Sequence, residues 1–155
     1  DAGTKIVATD PEENDFFGSS VSISGDYAIV GSPGEEEGGY NSGAVYIFHR
    51  TGTNTWDAGT KIIAPDAAGS ENFGQSVSIS GDYAIVGADN ESAAYVFYND
   101  GNGWDTGTKI IGLTASGSDR FGNSVSIDGD YAIVGSPRDD DAGGNAGAAY
   151  IFKAG

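Results

Sequence analysis

The side chains in this sequence that could do chemistry are mostly carboxylates. Glu35-Glu36-Glu37 and Asp139-Asp140-Asp141 are consecutive acidic triplets among glycines, and Asp89-Asn90-Glu91 is a shorter counterpart. Hard cations gather roughly six to eight oxygen ligands, which Asp, Asn and backbone carbonyls of Gly-rich loops supply. Calcium is therefore the cofactor these loops suggest, with Asp139, Asp140 and Asp141 favoured because shorter side chains chelate more rigidly. Neither triplet has EF-hand spacing, and a solvated acidic loop accounts for the same residues. Trp56-Asp57 and Trp104-Asp105 offer a second chemistry. An exposed indole can stack on a sugar ring while the carboxylate binds its hydroxyls, although a repeated Trp more often packs on its own sheet. Asn90-Glu91-Ser92 is an N-glycosylation acceptor pattern.

Catalysis is not expected. The single histidine, His49, has no nucleophile elbow to serve. The chain has no cysteine for a thiolate site, and nothing singles out two carboxylates from the 23 present. A net charge of −16 argues against nucleic-acid partners and anionic membrane surfaces, and no apolar run is long enough to suggest a membrane span.

These candidates sit on a unit written three times. Ser20 to Gly31 reads SVSISGDYAIVG, recurs unchanged at Ser76 to Gly87, and recurs at Ser124 to Gly135 with Asp128 as the one change. Each copy follows a Phe-Gly pair (Phe17, Phe73, Phe121) and precedes an aromatic strand starting at Ala44, Ala93 or Ala148. A Gly-Thr-Lys-Ile segment stands at Gly3, Gly59 and Gly107. Thirteen positions separate Thr4 from Phe17, Thr60 from Phe73 and Thr108 from Phe121. From Phe-Gly to the aromatic strand the distance varies, so the acidic segment between them is a surface loop.

Each unit predicts four short strands. Val and Ile alternate with Ser in the first, Ser-Gly-Asp turns the chain, and Tyr-Ala-Ile-Val reads as a strand covered on both faces. The aromatic strand is third and Thr-Lys-Ile fourth. The composition agrees with an all-β fold: β-branched and aromatic residues dominate, and Leu113 is the one leucine. The expected architecture is three four-stranded antiparallel β-propeller blades in a single domain, 1–155. Blade 1 spans about 17–63, blade 2 about 73–111, and blade 3 about 121–152.

Phe-Gly followed by a strand and then Ile-Val-Gly-Ser-Pro, at Ile29 to Pro33 and Ile133 to Pro137, resembles the FG-GAP repeat. That resemblance implies a β-propeller of the kind found in integrin α subunits and secreted microbial proteins. With the high acidity, it implies an extracellular or cell-surface location. The family's calcium loop between the first two strands is replaced here by Ser-Gly-Asp at 24–26 and 80–82 and Asp-Gly-Asp at 128–130. That calcium site is not carried over.

Strand counting leaves blade 3 one strand short and Thr4, Lys5, Ile6 and Val7 unclaimed. Three blades are too few to close, since propellers use roughly four to eight. Donation of Thr4–Val7 to blade 3 of another copy would meet both needs, through a head-to-tail interface giving a six-blade ring or a helical fibre. The expected partner is thus a second copy, in a structural or adhesive protein. The alternatives are a glycan- or ligand-binding propeller and one half of a longer single-chain propeller.

Overall fold

Ser-alternating strands followed by a two-residue Gly-Asp turn dictate the first hairpin of every unit. In the computed structural model, which describes residues 2–155, β1 (Ser20–Ser24) pairs antiparallel with β2 (Tyr27–Ser32), and Gly25 takes a positive φ of 56° in the turn. Positive φ at the first central residue is what a tight hairpin matched to strand twist requires. β3 (Ala44–Gly52) adds to β2, and its far end turns back through β4 (Thr55–Trp56) before β5 (Thr60–Ile62) closes the sheet. The second sheet is β6 (Phe73–Ser80), β7 (Tyr83–Ala88), β8 (Ala93–Tyr98) and β9 (Thr108–Ile110). The third is β10 (Ser124–Asp128), β11 (Tyr131–Ser136) and β12 (Ala148–Lys153). No helix forms among the described residues; all three sheets are antiparallel, and the second and third run in simple sequential order.

The sheets stack face on face. Ile29, Val45 and Ile47 of the first meet Val77, Ile79 and Phe97 of the second. Ile85 and Val96 of the second meet Phe121, Ile127 and Val134 of the third. The middle sheet is thus covered on both sides, which explains why the run Ala84 to Ala88 is buried throughout. In β11 the same sequence alternates between buried and exposed, because no second sheet among the described residues covers its outer face.

The Phe-Gly pairs build the seams. Gly74 has a φ of 92°, and its carbonyl accepts a hydrogen bond from the Ser20 hydroxyl of the neighbouring sheet at 2.7 Å. Gly122 repeats this with φ of 92° and the Ser76 hydroxyl at 2.8 Å. The adjacent phenylalanines fill the sheet interior, where Phe73 stands edge-on to Tyr95 at 5.3 Å between centroids.

One sequence expectation is corrected. The first sheet has five strands rather than four, because β3 continues beyond the sheet and hairpins onto β4. Thr4–Val7 forms no strand within the chain, since no strand among the described residues pairs with it. The Thr4 hydroxyl donates to the Asn54 carbonyl at 2.8 Å, and Ile6 and Ala8 pack on Val30, Tyr46 and Phe48 of the first sheet. This is where Ile62 stands relative to the second sheet, so the side chains occupy a fourth-strand position while the backbone lacks a ladder partner.

Candidate functional site

The acidic loops do not stand alone in solvent. Each of the first two sheets gathers a tyrosine, a lysine and carboxylates into one cluster. Strand pairing sets Tyr46 opposite Lys61, and Tyr95 opposite Lys109. The Tyr46 hydroxyl donates to Asp10 at 2.7 Å, and the Lys61 ammonium lies 2.7 Å from oxygens of Asp10, Glu35 and Glu37. In the second sheet Lys109 pairs with Asp66 at 2.8 Å and with Glu91, and the Tyr95 hydroxyl lies 2.7 Å from both carboxylates. Among the described residues the third sheet has the tyrosine and a carboxylate but no lysine at this place. The Tyr150 hydroxyl donates to Asp139 at 2.7 Å and lies 3.0 Å from the Thr114 hydroxyl.

The electrostatics follow from this packing. Hydrogen bonds from Lys61 and Tyr46 hold Asp10 below the usual carboxylate range. Burial alone would lower the Lys61 pKa, but the three carboxylates outweigh it and raise it. Burial and the Asp10 hydrogen bond push Tyr46 up. All three groups therefore keep their native charge states at neutral pH.

The sequence candidates fall into place unevenly. Glu35 and Glu37 belong to the first cluster, while Glu36 is exposed. The oxygens of Asp10, Glu35 and Glu37 lie within 4.8 Å of one another, the sort of group that holds a cation. Lys61 stands among them, so calcium there would have to displace an ammonium bound to three carboxylates. Asp139 is buried against Tyr150, whereas Asp140 and Asp141 are exposed. Asp57 and Asp105 each accept two backbone N–H bonds at 3.0 Å, closing the turns after β3 and β8. Trp56 packs on the first sheet, and Trp104 meets Tyr27 edge-on at 5.8 Å beside an open depression lined by Tyr98, Asp100 and Asn102. Asn90 is exposed and Ser92 is buried.

The residues missed from sequence were Asp10, Asp66 and the paired Tyr and Lys. The signal was present: Asp10, Asp66 and Thr114 each stand six positions after the Thr of Gly-Thr-Lys-Ile.

Glu71 is buried and accepts the Ala68 N–H at 2.9 Å, a loop closure that Asp15 and Asp119 repeat in the other units. Desolvation raises its pKa, helped by the nearby Glu91 and Asp66 charges. Its charged form is thus a burden to the fold at neutral pH, relieved as pH falls through the raised pKa. Glu71→Gln keeps the acceptor and removes the charge. Thermal melts at pH 7 should show a gain of about 2 °C, vanishing once the wild-type carboxyl protonates.

The stack has two unlike ends. Val21 and Ile23 are 68% and 66% exposed on the first sheet, whereas their counterparts Val77 and Ile79 are 8% and 4% exposed. Ile133 and Ile151 are 43% and 73% exposed on the third sheet, against 0% and 3% for Ile29 and Ile47. The sequence model described as FG-GAP repeat matches residues 3–48, 56–97 and 104–152. The chain belongs to the FG-GAP repeat family. Each matched FG-GAP repeat takes in the Gly-Thr-Lys-Ile segment at or near its start and closes within the aromatic strand, so the sequence repeat and the sheet are offset by one strand. The propeller expectation accords with this family and with three antiparallel sheets. No curated protein matches the chain.

Proposed function

We propose that this FG-GAP repeat chain is an extracellular structural or adhesive protein that assembles head to tail. The third sheet of one copy would cover the first sheet of the next, with Thr4–Val7 donated to the open edge of β12. One observation carries this reading: the two ends are the unmet halves of a contact made twice inside the chain.

At both internal seams three hydroxyls reach across. Ser20 and Ser76 donate to Gly74 and Gly122 carbonyls, Ser22 and Ser78 accept from Ile79 and Ile127 N–H, and Ser24 and Ser80 accept from Gly81 and Gly129 N–H. The third sheet carries Ser124, Ser126 and Asp128 at these positions, and the first sheet carries Gly18, Ile23 and Gly25. The Asp128 carboxylate can accept the Gly25 N–H as the Ser hydroxyls do. Exposed isoleucines and valines on the two faces add the apolar part of the same contact. Such an interface is heterologous, and it closes into a ring or continues as a fibre.

Sedimentation velocity across a concentration series, with electron micrographs, tests the proposal. The expected result is association beyond the 15.7 kDa chain, seen as a two-copy ring or an open series of lengths. A single chain at every concentration overturns it.

A further inference from the structure

We infer that Lys5 of one copy completes the Tyr150–Asp139 cluster of another, with Thr4, Lys5 and Ile6 paired to Ile151, Tyr150 and Ala149. This rests on the head-to-tail reading and adds to it a register and a charged contact between copies.

The register comes from two internal precedents. β5 sets Thr60, Lys61 and Ile62 against Ile47, Tyr46 and Val45. β9 sets Thr108, Lys109 and Ile110 against Val96, Tyr95 and Ala94. In the third sheet Ile151, Tyr150 and Ala149 hold the equivalent places on β12, whose outer edge has no strand among the described residues. The remaining Thr-Lys-Ile of the sequence is Thr4-Lys5-Ile6.

The charge comes from the incomplete cluster. The Tyr150 hydroxyl donates to the buried Asp139 as the Tyr95 hydroxyl does to Glu91, Asp141 stands two residues on as Glu37 does from Glu35, and no lysine pairs with them among the described residues. Lys61 and Lys109 also lie 6.0 and 5.6 Å from the centres of their tyrosine rings. Tyr150 has no such cation, and Lys5 is exposed with no ion pair among the described residues. In a chain with seven basic residues against 23 acidic ones, an unused lysine and an unneutralised carboxylate at matched positions are complementary. The backbone edge of β12 gives the donated segment its ladder.

The chain has no cysteine, so a disulfide trap has no background. Thr4→Cys chains mixed with Ile151→Cys chains should yield a covalent dimer on mild oxidation. Thr4→Cys mixed with Lys153→Cys should not, because two residues of slip move the pair about 7 Å along the strand. Lys5→Glu should weaken association in wild-type background by roughly tenfold to a hundredfold, and Lys5→Arg should largely preserve it. If wild type associates but Lys5→Glu does so equally well, or the off-register pair cross-links as readily, this inference falls while head-to-tail assembly stands. If wild type is a single chain throughout and no pair cross-links, both fall together.

Discussion

Alanine at Gly87 should lower the melting temperature by about 10 °C, from an overpacking cost of about 3 kcal/mol in a domain of this size. Gly87 lies on β7 against the Gly122 backbone at the seam between the second and third sheets. A Cβ there would sit 2.9 Å from the Gly122 carbonyl carbon and closer still to its oxygen. That carbonyl cannot swing aside without losing the Ser76 hydroxyl, and the Gly122 N–H is held by the Gly135 carbonyl at 3.1 Å. Gly31→Ala meets the same obstacle at the first seam, with the Gly74 carbonyl carbon at 3.0 Å. Gly135 is the third member of the set, yet no backbone of another sheet faces it. Its Cβ would be crowded only by the Ser124 hydroxyl, which can rotate, the Ser124 carbonyl lying at an ordinary 3.7 Å. One substitution at three equivalent positions should therefore give two large losses and one small one in calorimetry of the unassociated chain. A Gly87→Ala chain melting within 2 °C of wild type would show that the seam is looser than its geometry.

The threefold repeat made the hairpins, the Phe-Gly seams and the acidic loops legible in the sequence, because each depends on residues close together along the chain. The lysine–carboxylate clusters were not legible. Glu35-Glu36-Glu37 reads as a cation site because its counter-charge, Lys61, is distant in sequence and arrives only when β5 pairs with β3. Asp10 comes from further still, on the segment preceding the first sheet. The Trp-Asp pairs are a different case: a carboxylate beside an indole suggests a sugar site, and the folded turns engage Asp57 and Asp105 with backbone amides. Thr4–Val7 marks the boundary between the two cases. Ile6 packs on the first sheet. Ladder formation needs a partner edge as well as a pattern, and the open edge on β12 belongs to the sheet at the other end of the stack, away from the first sheet on which Ile6 packs.

Aspartates at Ile133 and Ile151 should abolish association while leaving the chain folded. Both side chains are largely exposed on the last sheet, so a charge there is solvated in the single chain. Against Val21 and Ile23 of another copy the same charge would be buried without a partner, at a cost of several kcal/mol for the pair. The expected reading is a single chain in sedimentation at concentrations a thousandfold above those at which wild type associates, with an unchanged circular dichroism spectrum. Ile29→Asp and Ile47→Asp, the internal counterparts, should instead unfold the first seam. Val21→Asp with Ile23→Asp should block assembly from the opposite face. Mixing the two kinds of blocked chain decides the symmetry. A head-to-tail contact leaves one intact pair of faces in the mixture, the first sheet of one variant against the third sheet of the other. That mixture should form a one-to-one dimer and stop, while each variant alone stays single. Association of the Ile133→Asp, Ile151→Asp chain at wild-type strength would mean that the exposed third-sheet face lies outside the interface.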